Sequence, residues 1–364
     1  MKILFYSPLK SPNHPVPSGD RLMARLLVRA LKSLGHEVFI ASEMRSFMRS
    51  SEMADALEAN VADAAREIER ITAEHSGSSA PDLWFTYHPY YKAPDLLGPA
   101  LARHFGIPLI NAEASYSSRR NIGAWRTSQE MLLDSLRHAA VNLCFTRRDR
   151  DGLKAAVPEA RLELIAPFID SEPYLQRTPA PEPGRLVTVA MMRPGDKLSS
   201  YQALAESLRL IQHLPWTLSI AGDGECRPEV ERAFAPLGLE RIEWLGALQQ
   251  EDIAELLSRG SVFLWPGHGE AYGLAYLEAQ AAGLPVVAEA IAGVPEVVEH
   301  DRTGLLTPPG DRHAFADAIG HLLSDAETRS RLAKEARIFA TGERSISGAA
   351  ESLRRILRRI LDSM

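Results

Sequence analysis

Cysteine is nearly absent: the chain carries two, Cys144 and Cys226. Two isolated thiols can build neither a disulfide framework nor a CxxC metal site, so a reducing cytosol is the expected compartment. Long apolar runs are missing too, and no stretch approaches the roughly 20 residues of a membrane-spanning helix. The segment Met1–Pro8 is apolar too briefly for a secretory signal, and no small-residue cleavage site follows, so it reads as a first buried strand. Nor is one charge in large excess. The 41 Lys and Arg against 47 Asp and Glu leave a net charge of -6, which gives no global reason to expect nucleic-acid binding. Repeats and low-complexity tracts are lacking, and 45% hydrophobic residues with 24% charged ones exclude a disordered chain.

What is present is length and alternation. At about 150 residues per domain, 364 residues suggest two domains, each able to bury its own core. Short apolar runs alternate with helical patterns, the sign of parallel sheets covered by helices. In the first half, strands are expected at Ile3 to Tyr6, Val38 to Ala41, Leu83 to Tyr87, Pro108 to Asn111 and Val141 to Thr146. Gly19-Asp20 opens a helix through Leu34, closed by Gly35, and residues 48–75 read as one long helix or two shorter ones. Pro173, Pro179, Pro181 and Pro183 then suit a stiff linker over 171–184. Beyond it, strands are expected at Leu186 to Met191, Thr217 to Ala221, Glu243 to Leu245, Val262 to Trp265 and Pro285 to Ala288. The fold class is therefore α/β with two Rossmann-like, doubly wound domains. The first spans 1–170, completed by a C-terminal helix over 346–364, and the second spans 185–345. Ligands of such sheets sit at the carboxyl ends of the strands, so a cleft between the two domains is the expected site.

The most informative segment is Trp265-Pro-Gly-His-Gly-Glu270-Ala-Tyr-Gly273-Leu274-Ala-Tyr-Leu-Glu278-Ala-Gln-Ala-Ala-Gly283, between two apolar strands. It reads as a glycine-rich loop running into a helix from about Gly273. Leu274, Leu277 and Ala281 share the face that packs on the sheet, while Glu278 lies about 100° from Leu277. A helix start preceded by glycines presents unpaired N–H groups and partial positive charge, which suits a phosphate. Glu270 and Glu278 flank that anion site and would repel the phosphate itself, so they need neutral donors. Sugar hydroxyls on one side and a ribose diol on the other provide them, the layout of a nucleoside diphosphate sugar. Each Glu alone has a plainer reading, Glu270 as a capping acid and Glu278 as a solvated face residue.

The Glu270-x7-Glu278 segment resembles the signature of the retaining GT-B glycosyltransferases of glycosyltransferase family 4. The likeness continues through Ala292-Gly293-Val294-Pro295-Glu296, Thr303-Gly304-Leu305-Leu306-Thr307, Ile220-Ala221-Gly222-Asp223-Gly224 and Trp244-Leu245-Gly246. It covers most of residues 186–325 and is weaker over the first half, where Pro17-Ser18-Gly19-Asp20 stands in for a loop with two adjacent glycines.

The resemblance implies roles. Glu270 would contact hydroxyls of the transferred sugar and Glu278 the ribose hydroxyls. Arg193 and Lys197, in Met191-Met192-Arg193-Pro194-Gly195-Asp196-Lys197, would neutralise the donor diphosphate together with Gly273, Leu274 and the backbone at Gly19. Lys197 is one residue closer to Arg193 than the family's pattern has it. The base would be read by backbone groups near Gly246 to Leu248. His88, at the end of the strand Leu83 to Tyr87, would sit beside the sugar and the reacting centre. The family's chemistry is transfer from a nucleoside diphosphate sugar to an acceptor hydroxyl with retained configuration, the leaving diphosphate assisting deprotonation. Two cations and a helix terminus could replace a metal ion, so neither cofactor nor metal is expected.

Other signals point elsewhere. Asp149-Arg150-Asp151 resembles an Asp-x-Asp metal motif but reads better as capping acids. The histidines lack metal-ligand spacing. Asp20 is either part of the loop or an N-cap. Two basic amphipathic helices, one with Arg21, Arg25 and Arg29 and one with Arg354, Arg355, Arg358 and Arg359, read as solvated faces or as peripheral contacts with an anionic membrane carrying a lipid-linked acceptor. The competing functions are a nucleotide-sugar epimerase on the same plan and a non-catalytic nucleotide- or glycan-binding partner.

Overall fold

The computed structural model describes residues 1–16 and 18–362, so Pro17 of the expected loop and Ser363 and Met364 of the expected C-terminal helix lie outside the described residues. The chain divides into two compact units, Met1–Ala166 with Ala349–Met364, and Pro167–Gly348.

The first unit is built on six parallel strands: β1 (Lys2–Tyr6), β2 (Glu37–Ile40), β3 (Leu83–Tyr87), β4 (Leu109–Ala112), β5 (Val141–Cys144) and β6 (Leu162–Leu164). They lie in the order β2-β1-β3-β4-β5-β6. Ile3 to Tyr6 and Leu83 to Thr86 have no exposed surface, as strands covered by helices on both faces require. The helix Gly19–Ser33 lays Met23, Leu26, Leu27, Ala30 and Leu31 on the sheet. Its N-cap is Ser18, whose hydroxyl accepts the Arg21 N–H at 3.2 Å, so Asp20 is not the cap. The next helix begins only at Ala54 and runs to Glu74. Residues 48–53 do not join it because their backbone is committed elsewhere. The Met48 N–H donates to the Lys92 carbonyl at 2.7 Å, and the Ser51 carbonyl accepts from Ala124 at 2.8 Å.

The second unit repeats the plan with β7 (Arg185–Val189), β8 (Thr217–Ala221), β9 (Ile242–Gly246), β10 (Val262–Leu264), β11 (Val286–Glu289) and β12 (Gly304–Thr307), ordered β12-β11-β10-β7-β8-β9 and parallel throughout. The expected linker is not free. Within 171–184, Glu172–Leu175 forms a short helix, and the Ala180 and Glu182 N–H groups donate to the Ser258 and Arg259 carbonyls at 2.8 and 2.9 Å. Their acceptors are the last carbonyls of the helix Gln250–Arg259, which that helix leaves without partners of its own.

Each sheet reverses its direction of growth once. In the first unit this happens between β1 and β3, in the second between β7 and β10. At such a switch point the connections leave a crevice outside the carboxyl ends of two adjacent strands. The sequence places Gly19 after β1, His88 after β3, Arg193 and Lys197 after β7, and Glu270 after β10. All of the candidate polar side chains except Glu278 thus follow switch-point strands.

Candidate active site

In the second unit, β7 runs out through Met192 and Arg193 to Gly195, whose φ of 78° begins the helix Asp196–Leu210. Lys197 stands in its first turn; Arg193 is exposed in the connection before it. From β10 the chain enters the loop 265–273. Gly269 has φ 66°, and a Cβ there would collide with the Asp196 carboxylate, so only glycine lets the loop pass that close to the β7 connection. Gly273, at φ 83°, precedes the helix Leu274–Ala281, and no side chain caps its N-terminus.

The two connections meet at Glu270. Lys197 Nζ forms an ion pair with Glu270 Oε1, and Trp265 Nε1–H donates to the same oxygen at 3.0 Å. The ammonium also lies 5.4 Å from the Trp265 ring centroid. A cation and an indole N–H therefore fix one carboxylate oxygen beside an uncapped helix start. Of the expected diphosphate ligands, the structure brings Lys197 to the Glu270 loop that ends at Gly273 and Leu274.

Glu278 lies on the second turn of that helix and is not a solvated face residue. The hydroxyl of the fully buried Tyr174 donates to its carboxylate, while the Gln250 amide donates to the Tyr174 oxygen. Burial pushes the Glu278 carboxyl up to about 7, and the Tyr174 bond only partly offsets it. Gly246, at φ 65°, ends β9, and its carbonyl accepts the Gly222 N–H at 2.7 Å. That carbonyl serves the β8–β9 junction, while Leu248 lies in the connection beyond, half-buried.

One part of this site escaped the sequence reading. Glu289, ending β11 with 1% of its side chain exposed, accepts the Gly310 N–H at 3.0 Å and Arg312 Nη1 at 2.8 Å. His268 Nε2 lies 3.3 Å from it, and His268 Nδ1 lies 2.8 Å from the Ser199 hydroxyl. The His268 N–H donates to Ser200 Oγ at 3.0 Å. The Glu270 loop is thus anchored on both sides. The available signal was an acid closing the apolar run Val286-Val287-Ala288.

In the first unit, His88 adopts φ 58°, a left-handed conformation uncommon outside glycine. Its Nδ1 lies 3.0 Å from Asp20 Oδ1, and its ring stacks on Tyr90 with centroids 5.0 Å apart. Gly19 opens the helix that carries Asp20, and a Cβ there would meet no atom within 4 Å. Asp149 exchanges bonds with Thr146, which caps the helix Arg147–Ala156. Among the described residues no group of three or more His, Cys, Asp or Glu side chains is placed to hold a metal ion, and no helix is long and apolar enough to cross a membrane.

The basic helices differ. Arg21 Nη1 donates to the His14 and Pro15 carbonyls at 2.8 and 3.0 Å, and Arg25 Nε to the Pro12 carbonyl at 2.6 Å, so both serve the preceding loop. In the helix Ile346–Leu361, Arg354 pairs with Glu351 and Arg359 with Glu163, while Leu353, Ile356, Leu357 and Ile360 are buried.

Comparison with known proteins places the fold and the family likeness of the chain. Residues 183–325 match the family described as glycosyl transferases group 1. The alpha-D-kanosaminyltransferase of Streptomyces kanamyceticus is 29% identical over 315 residues, covering 80% of this chain and 77% of that protein. The D-inositol 3-phosphate glycosyltransferase of Frankia alni is 27% identical, covering 97% and 96%. Among solved structures, Anabaena Alr3699/HepE in complex with UDP superposes with a TM-score of 0.74 at 18% identity, covering 99% of this chain and all of that one. A second structure of the same protein holds UDP-glucose, with a TM-score of 0.70. The chain is therefore a glycosyltransferase with the GT-B fold, and its residues 183–325 match the glycosyl transferases group 1 family.

Proposed function

We propose that the chain transfers a sugar, with retained anomeric configuration, from a nucleoside diphosphate sugar to an acceptor hydroxyl. The observation that carries this reading is the Lys197–Glu270 pair beside the uncapped helix start at Gly273. An ammonium and free helix N–H groups suit a diphosphate. A carboxylate with one oxygen already fixed by Lys197 and Trp265 keeps its other oxygen for sugar hydroxyls. Glu278 and Tyr174 suit a ribose diol, and Arg193 the outer phosphate.

In this reaction the bond between the anomeric carbon and the phosphate oxygen breaks as the acceptor oxygen bonds to the same face of the sugar. The acceptor proton passes to the departing phosphate, whose charge Arg193, Lys197 and the helix terminus stabilise. At an effective dielectric near 20, a charge pair 4 Å apart is worth about 4 kcal/mol, so these groups suffice without a divalent ion. His88, after β3, is taken as a contact to substrate hydroxyls in the first unit. An acceptor on a lipid would bring the chain to the cytoplasmic face of a membrane. For that contact the face of Ile346–Leu361 with exposed Arg355 and Arg358 is the better placed, since Arg21 and Arg25 are taken up by loop carbonyls.

The test is calorimetry with UDP paired with a transfer assay, UDP being the ligand in the Anabaena structure. Arg193→Ala should weaken UDP binding. Glu270→Ala should leave it within about threefold while abolishing transfer. Equal losses of UDP binding in Glu270→Ala and Glu278→Ala would overturn the assigned division between sugar and ribose.

A further inference from the structure

We propose that Asp20 is a positioning residue for His88, holding the imidazole by Nδ1 so that Nε2 is the nitrogen offered to the substrate. The proposal rests on the reading of His88 as a substrate contact and extends it to a residue on another element.

Three observations carry it. First, the 3.0 Å contact joins the ends of two connections, after β1 and after β3, that flank the switch point of the first sheet. Second, Asp20 is not needed as the helix cap. An acid in the first helical turn ordinarily serves the helix start, but Ser18 already supplies the cap here. Third, the protein holds His88 in a left-handed backbone conformation, which is unfavourable for a side-chain residue and persists only where the surroundings impose it. Stacking on Tyr90 fixes the ring plane, the Asp20 carboxylate fixes its rotation, and together they leave the imidazole one orientation.

The electrostatics follow from the same placement. Burial alone would lower the His88 imidazole. The bond to Asp20 and the charges of Glu113, Asp20 and Asp149 override it and leave the group above its ordinary value. Glu113 follows β4 and Asp149 lies in the helix Arg147–Ala156, so the acids come from three separate elements. Asp20 is itself depressed: burial opposes this, but the His88 bond and charge and nearby Lys10 outweigh it. A protonated ring held at Nδ1 donates its Nε2–H to a sugar or phosphate oxygen. Activity that needs this donor is lost as pH rises through the His88 titration, and Asp20 moves that loss to higher pH.

The experiment measures the His88 titration by NMR in the substrate-free enzyme and the pH profile of kcat/KM, for wild type, Asp20→Asn and Asp20→Glu. With Asp20→Asn, the His88 titration and the alkaline limb of the profile should both fall by about one pH unit. At pH 8, kcat should drop about tenfold, with KM for the donor sugar changed less than twofold. Asp20→Glu should restore most of both, and circular dichroism should show the helix intact, since Ser18 caps it. An unmoved His88 titration in Asp20→Asn would overturn the proposal. So would a loss of activity at all pH values with no shift of the limb, the mark of a merely structural role. If the NMR titration moves but His88→Gln retains full activity, the reading of His88 is what fails.

Discussion

Glu278→Gln separates what the site does for stability from what it does for binding. In the folded chain burial raises this carboxyl to about 7 from an ordinary 4.5. Between those values the native state binds more protons than the unfolded chain, so the contribution of Glu278 to stability falls as pH rises through the window and levels off above it. The full difference is about 3 kcal/mol, and partial exposure of the side chain reduces it to about 2 kcal/mol. Glutamine carries no charge to desolvate. The variant should therefore match wild type near pH 4.5 and exceed it by about 2 kcal/mol at pH 8, a rise in the second unit's melting temperature of roughly 4–8 °C.

The same substitution should impair nucleotide binding, because ribose hydroxyls donate better to a charged carboxylate than to an amide. Losing a charged hydrogen-bond acceptor costs about 1.5–3 kcal/mol, or roughly 10- to 150-fold in affinity. Binding to the charged form also makes wild-type affinity depend on pH, rising about tenfold from pH 6 to pH 8 beyond whatever the phosphate's own titration gives Glu278→Gln. Differential scanning fluorimetry at the two pH values and calorimetry with UDP supply both readouts. The reasoning fails if Glu278→Gln is no more stable than wild type at pH 8, or if it binds UDP with unchanged affinity and pH dependence.

Three further outcomes are expected. Gly269→Ala should cost about 2 kcal/mol in stability and most of the transfer activity, since the new Cβ meets the Asp196 carboxylate at a positive φ; unfolding midpoints and initial rates check it. If Arg193, Lys197 and the helix start carry the diphosphate charge as proposed, transfer should proceed at full rate in excess chelator; strict dependence on added divalent ion would contradict this. Binding to anionic vesicles at low salt should weaken in Arg355→Ala/Arg358→Ala, at about 1 kcal/mol per cation, while Arg21→Ala should change it little. A supernatant protein under those conditions would make the acceptor soluble.

Much of this architecture was legible because it is written in apolar runs. Strands such as Leu83–Tyr87 and Thr217–Ala221 are bounded where their apolar residues stop. The edge strands β6 and β12 were missed for the opposite reason. Leu162–Leu164 is three residues with a central Glu, and Gly304–Thr307 opens with a glycine that fits only because no Cβ meets the Val286 backbone. Helix starts were harder still. Residues 48–53 carry helix-compatible side chains, and nothing local announces that Met48 bonds to Lys92. In the site, Glu270 and Glu278 stood out beside a glycine-rich helix start and Lys197 through the family resemblance, but the partners of these side chains were not readable. Tyr174 lies 104 positions before Glu278, and Glu289 meets His268 only because β10 and β11 are neighbours. Pairings of this kind belong to the sheet order, which the linear pattern does not contain.

The Lys197–Glu270 pair shows how an empty site and a loaded one differ in demand. Without donor, a half-buried ammonium and a half-buried carboxylate would each pay for desolvation if left alone, and pairing offsets that cost. When a diphosphate arrives, its charge competes for the ammonium, while sugar hydroxyls arrive at the carboxylate. Each member loses part of one partner and gains another from the same ligand. A bare nucleoside diphosphate supplies only the first replacement, leaving Glu270 dependent on Trp265 and a shared Lys197. An intact nucleoside diphosphate sugar supplies both. With Lys197 on the diphosphate and Glu270 on the sugar as proposed, Glu270→Gln should narrow the affinity gap between UDP-glucose and UDP, because the amide no longer holds Lys197 back from the phosphate.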